Sequence, residues 1–135
     1  MSYTDKVHAL QSELNDRIRN KGNNHPLVAE TLSSLGLFYC HMIGDQDKAI
    51  LTHYSALKIP ECQEPSEEIF LKRAFSLVDM GYIFWKTGYH ALAKSKYLSA
   101  FAFFQQSLIN ECYPQAKLCK YAILRGLAHL NESPQ

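Results

Sequence analysis

The sequence predicts an all-α chain of about six helices, and three observations carry that expectation. Apolar residues recur at steps of three and four, as at Val7, Leu10, Leu14 and Ile18 and again at Leu77, Met80 and Phe84; this spacing gathers side chains on one helical face. Small residues interrupt the stripes at Gly81, Ala93 and Ala100, where two antiparallel helices can bring their backbones close while Phe84 and Tyr97 fill the space between. The arrangement also occurs twice, because Gly36 and Gly81 stand 45 positions apart (81 − 36) in matching surroundings. No strand is predicted.

Each element follows from local signals. The first helix ends at KGNN, where Gly22 and Asn23 suit the left-handed cap conformation. Pro26 opens the second helix, since a proline in the first turn gives up only an N–H that had no helical partner. Leu32, Leu35, Gly36 and Tyr39 follow, then a break at Gly44 and Asp45, then Ala49 and Ala56. Gly36 to Ala49 spans 13 positions (49 − 36) and Gly81 to Ala93 spans 12 (93 − 81), so either the turn or the first helix of that pair must absorb one extra residue, as by a bulge. Pro60 and Pro65 bar a helix through KIPECQEPSEE. Ser66 caps the next helix, with Glu67 and Glu68 on the positive end of its dipole. That helix runs to Thr87 and breaks at Gly88, and FAFFQQSLINE carries its successor toward residue 110. Pro114 starts the last helix, with Leu118, Tyr121, Ala122 and Leu124 to Leu130.

Leu77-x2-Met80-Gly81-x2-Phe84 followed by Ala93-x3-Tyr97, and before it Leu32-x2-Leu35-Gly36-x2-Tyr39, resemble the tetratricopeptide repeat. HPLVAETLSSLGLFY is similar to the longer repeats of kinesin light chains, which also open on His-Pro. The chain departs from the pattern at His53, where an aromatic is expected and Tyr54 stands beside it, and at Arg125 in the weak third unit. The resemblance implies a short right-handed α-α superhelix of antiparallel helices in a single domain, 1–135. Its parts would be a leading cap helix 1–22, a first repeat 26–59, a second repeat with extended helices 66–110, and a trailing cap helix or half repeat 114–131. The expected core is Leu32, Leu35, Tyr39, Ala49, Leu57, Leu77, Phe84, Ala93, Tyr97 and Ala100.

In such a family the first helices of successive repeats line a concave groove. Carried over by the Leu-Gly anchor, the lining is Ser33, Leu37 and His41 in the first unit, with Ser34 and Cys40 beside them. It continues with Asp79, Tyr82, Trp85 and Lys86, next to Val78, in the second unit, and with Lys120 and Ile123 in the third. Ser33, Leu37, Asp79 and Tyr82 replace most of the asparagine and basic residues with which some members grip a terminal carboxylate. The implied partner is therefore a peptide or helix of another protein that offers apolar side chains. Residues 69–85 are apolar on nearly every side, which places Tyr82 and Trp85 between groove and core. Phe101, Phe103 and Phe104 point several ways on one helix; either the trailing helix covers them or a second copy does, giving a homodimer.

Chemistry is not predicted. Cys40 and His41 adjoin, but neighbours on a helix point about 100° apart, poorly placed to share a metal or to act as nucleophile and base. His8, His25, His53, His90 and His129 are isolated, Glu67 and Glu68 are helix-start charges, and the glycines make no phosphate loop. No enzyme activity, metal or cofactor is expected. A net charge of +1 gives no nucleic-acid footprint, and Lys94, Lys96, Lys117, Lys120 and Arg125 read as a solvated face. Four cysteines without a C-x-x-C spacing, a start without an apolar signal segment and no run of about 18 apolar residues point to a cytoplasmic protein that does not insert in membranes.

Overall fold

The computed structural model describes residues 2–59, 67–106 and 114–132, and those residues form helices and short turns without a strand. In order they are α1 (Tyr3–Lys21), α2 (Pro26–Phe38), a π-helical turn (Tyr39–Ile43), α3 (Gln46–Lys58), α4 (Glu67–Lys86), α5 (His90–Gln106) and α6 (Pro114–Glu132). The chain divides into two compact units, 1–65 and 66–135. The predicted Ser66 cap, the two interrupting prolines, and the extension of α5 beyond Gln106 lie outside the described residues.

In the first unit, α1 is capped by Ser2, whose hydroxyl accepts from the Asp5 amide at 3.1 Å. It ends at Gly22, with φ 88° and ψ 168°. This is not the left-handed cap expected but an extended conformation of positive φ, open essentially to glycine alone. Next, Nδ1 of His25 caps α2 by accepting from the Leu27 amide at 3.1 Å. Leu14 and Ile18 of α1 pack against Val28, Ala29 and Ile59, with Leu32 alongside. Arg17 ties the same pair of helices, donating to the Leu27 carbonyl at 3.0 Å and to the Thr31 hydroxyl at 2.8 Å. That arrangement satisfies buried Thr31, which donates in turn to the Leu27 carbonyl.

The extra residue before the first turn is taken up by the π-helical turn. The Tyr39 carbonyl accepts from the Gly44 amide at 2.8 Å, five residues on, and from Asp45 at 2.9 Å. Gly44 then reverses the chain in the left-handed conformation, φ 81° and ψ 16°. One widened turn thus restores register, so that Ala49, His53 and Ala56 of α3, at steps of four and three, are fully buried. His53 fills the aromatic position itself, while Tyr54 is exposed. A side chain on Gly36 would lie 2.5 Å from the His53 imidazole, so the ring occupies the space that glycine leaves.

In the second unit α4, α5 and α6 pack pairwise. No residue from Leu71 to Trp85 is exposed, as the all-round apolar sequence of α4 predicts. Ala93, Tyr97, Ala100 and Phe104 make the buried stripe of α5. Ala116, Cys119, Ile123 and Leu130 make that of α6. The Tyr97 ring sits against Gly81 of α4, where an added methyl would come within 3.0 Å of it. It also sits against Gly126 of α6, where a methyl would overlap it. Gly126 repeats the earlier interval, 45 positions beyond Gly81 (126 − 81).

Of the two alternatives for Phe101, Phe103 and Phe104, cover by the trailing helix or an oligomer surface, the structure shows the first. Phe104 is buried with Ala116, Cys119 and Ile123, and Phe101 and Phe103 are half-buried against the same cluster, because α6 covers them. Full burial of side chains the size of Ile123 and Phe104 contributes roughly 1.5–3 kcal/mol each.

Deleting exposed Met42 should convert the π-helical turn to an ordinary α turn and keep the Ala49–His53–Ala56 face in register, at a cost within about 1 kcal/mol in urea unfolding. Deleting Val78, which would rotate the rest of α4 by about 100°, should abolish cooperative unfolding of its unit. Equal damage from the two deletions would contradict the bulge account.

Candidate functional site: an aromatic shelf in the second unit

Tyr82 and Trp85 stand three residues apart on α4 and so share a face. Their ring centroids are 6.3 Å apart at 40°. His129, in the last turn of α6, also lies against the indole, with centroids 5.3 Å apart and planes inclined at 36°. Lys86 places its ammonium 5.7 Å from the Tyr82 ring centre. The three rings are half-buried and Lys86 is exposed. Beneath them Val78, Phe84, Trp85 and Leu127 pack on Ala93, Tyr97 and Leu130. The shelf therefore rests on the same contact that closes the unit, the Tyr97 ring between two helices.

The expected groove residues fall into two groups. Leu37 and Lys120 are half-buried, and His41 is exposed on the π-helical turn. Ser33, Asp79 and Ile123 are corrected: they are 1%, 3% and 0% exposed, so none presents a surface to a ligand. Ile123 lies in the core with Cys119, and the stripe Ala116, Cys119, Ile123, Leu127, Leu130, at steps of three and four, already marked that face in the sequence. The alignment that sets Arg125 in the aromatic place puts Ala122 where Gly81 stands in the second unit, and so turns Ile123 outward. His129 was missed as a shelf residue. Its signal was the 45-residue interval from Phe84 (129 − 84), an aromatic position filled by an imidazole, as at His53.

Burial also fixes the protonation of two groups. Tyr97 is raised from the ordinary 10.0 to about 12, first by burial and then by the negative charge of Asp79 and by Tyr82. The Cys119 thiol is likewise pushed up to about 12 by burial. Both stay protonated at neutral pH, so Tyr97 serves as a neutral wedge and Cys119 as a small apolar side chain. The shelf offers flat apolar faces, polar ring edges and one cation, which suits non-covalent contact with a side chain or a turn of backbone. Among the described residues no helix is long and apolar enough to cross a membrane. Comparisons with protein-family models, curated proteins and solved structures found no match.

Because the folded state resists ionising Tyr97 and Cys119, the unfolded chain gives up those protons first as pH rises. Their contribution to stability is intact below the ordinary pKa values of 10.0 and 9.0 and is lost progressively toward about 12. Urea midpoints should fall between about pH 8 and about pH 11, and Tyr97→Phe, which keeps the ring and removes the ionising group, should flatten that fall. An unchanged slope in Tyr97→Phe would place the alkaline sensitivity elsewhere.

Proposed function

We propose that both units are built on the tetratricopeptide plan and that the protein is a non-catalytic interaction module, which binds a peptide or helical segment of another protein. The observation that carries this reading is the shelf of Tyr82, Trp85 and His129, three rings held half-buried on a packed three-helix unit with Lys86 at the edge. Tyrosine and tryptophan give much contact area for few rotatable bonds, and a shelf already ordered before binding loses little entropy when it is covered. The two glycine-closed helix hairpins with their recurrent spacing support the repeat plan. Leu37 and His41 in the first unit and Lys120 in the second remain the further contact positions this reading nominates. Homodimerisation through Phe101, Phe103 and Phe104 is not favoured, since α6 already covers that cluster.

Peptides selected from a random display library on the immobilised protein should shift the emission of Trp85, the chain's one tryptophan. Tyr82→Ala should weaken them at least about tenfold, roughly 1.4 kcal/mol, with helicity unchanged by circular dichroism. Selected peptides that keep their affinity for Tyr82→Ala would remove the shelf as the binding site.

A further inference from the structure

The helix that covers the core of the second unit also presents an outer surface, which adjoins the shelf where His129 stands one turn beyond Arg125. On the outer side of α6, Leu118, Tyr121 and Leu124 are 63%, 66% and 48% exposed, and Ala128 is exposed beside them. Helical spacing sorts this face into three rows, each joining residues seven apart: Tyr121 with Ala128 in the middle, Leu118 with Arg125 on one flank, Lys117 with Leu124 on the other. An apolar centre thus has an exposed cation on each side. Between Pro114 and Asn131 the helix carries no acidic residue. The surface of α1 is organised differently, since Arg17 pairs with Glu13 at 2.9 Å and Arg19 with Asp16 at 3.5 Å.

We propose that the outer face of α6 docks an acidic amphipathic helix of another protein, with apolar side chains against Tyr121, Leu118 and Leu124 and carboxylates toward Lys117 and Arg125. Seven-residue rows are the geometry by which two helices pack side by side. The cations supply the selectivity, because a partner bearing like charge at those flanks is repelled. Two outward cations are few for a phosphate backbone, whose binders neutralise several charges. They are also few for an anionic bilayer, where each contributes about 1 kcal/mol. A carboxylate-flanked helix needs only the two that are present.

The test uses the whole chain and three probes: a fluorescein-labelled synthetic helix with leucine along its seam and glutamate elsewhere, the same helix with lysine for glutamate, and vesicles of phosphatidylcholine and phosphatidylserine. Fluorescence anisotropy should show that the glutamate helix binds, that added salt weakens it, and that the lysine helix binds at least about tenfold more weakly. Lys117→Glu with Arg125→Glu, and separately Leu118→Ser with Leu124→Ser, should each cost the glutamate helix about tenfold or more. All four positions are exposed, and circular dichroism checks that helicity is kept. Equal affinity for the two helices, no affinity for the glutamate helix, or affinity unaffected by either pair of substitutions would overturn the proposal. Vesicle binding that Leu118→Ser with Leu124→Ser abolishes, without binding of the glutamate helix, would overturn it in favour of a membrane surface.

Discussion

A flat ring laid on a helix where the side chain is missing is the contact on which both units depend. Two helices come close enough to exclude water only if something small stands at the crossing and something flat fills what is left. In the first unit the ring is the His53 imidazole and the gap is Gly36. In the second it is the Tyr97 phenol, and it serves two helices at once, filling the gaps at Gly81 and Gly126. Tyr97 therefore joins α4, α5 and α6 through one side chain, and it must remain uncharged to do so. Burial and the neighbouring Asp79 carboxylate keep it neutral, with its pKa raised to about 12.

Much of this was legible in the sequence, because helix stripes, proline starts and small residues at crossings are local signals. The extra residue before the first turn was legible too, as a difference of one between two intervals, and the π-helical turn shows where it goes. What was not legible depended on which helix faces which. The groove positions were transferred by analogy with the repeat plan, and the transfer placed Ser33, Asp79 and Ile123 on a surface although all three are buried. Phe101, Phe103 and Phe104 read as spare aromatic area because one neighbouring helix could not hide them, and α6 supplied the further neighbour. Gly126 passed without notice, since its role appears only once Tyr97 is known to reach a third helix.

The surface left over is uneven in a way that bears on recognition. On α1, Arg17 and Arg19 pair with Glu13 and Asp16 of the same helix. α6 carries Lys117 and Arg125 beside exposed Leu118, Tyr121 and Leu124 without an acidic residue of its own nearby. The shelf of Tyr82, Trp85 and His129 and the outer face of α6 are both held in place by packing around Tyr97. The unit thus combines a packed interior with two different exposed chemistries, one aromatic and one apolar with flanking cations.

The most direct measurement is the unfolding free energy of Gly126→Ala, alone and combined with Tyr97→Ala, because two physical effects predict opposite signs. Helix propensity favours alanine over a helical glycine by about 1 kcal/mol. A methyl at residue 126 would instead overlap the Tyr97 ring, and overpacking of this kind costs about 1–3 kcal/mol. The account predicts that Gly126→Ala is destabilising in the natural sequence and neutral or stabilising once Tyr97 is alanine. A Gly126→Ala protein as stable as its parent or more so, with Tyr97 in place, would contradict it.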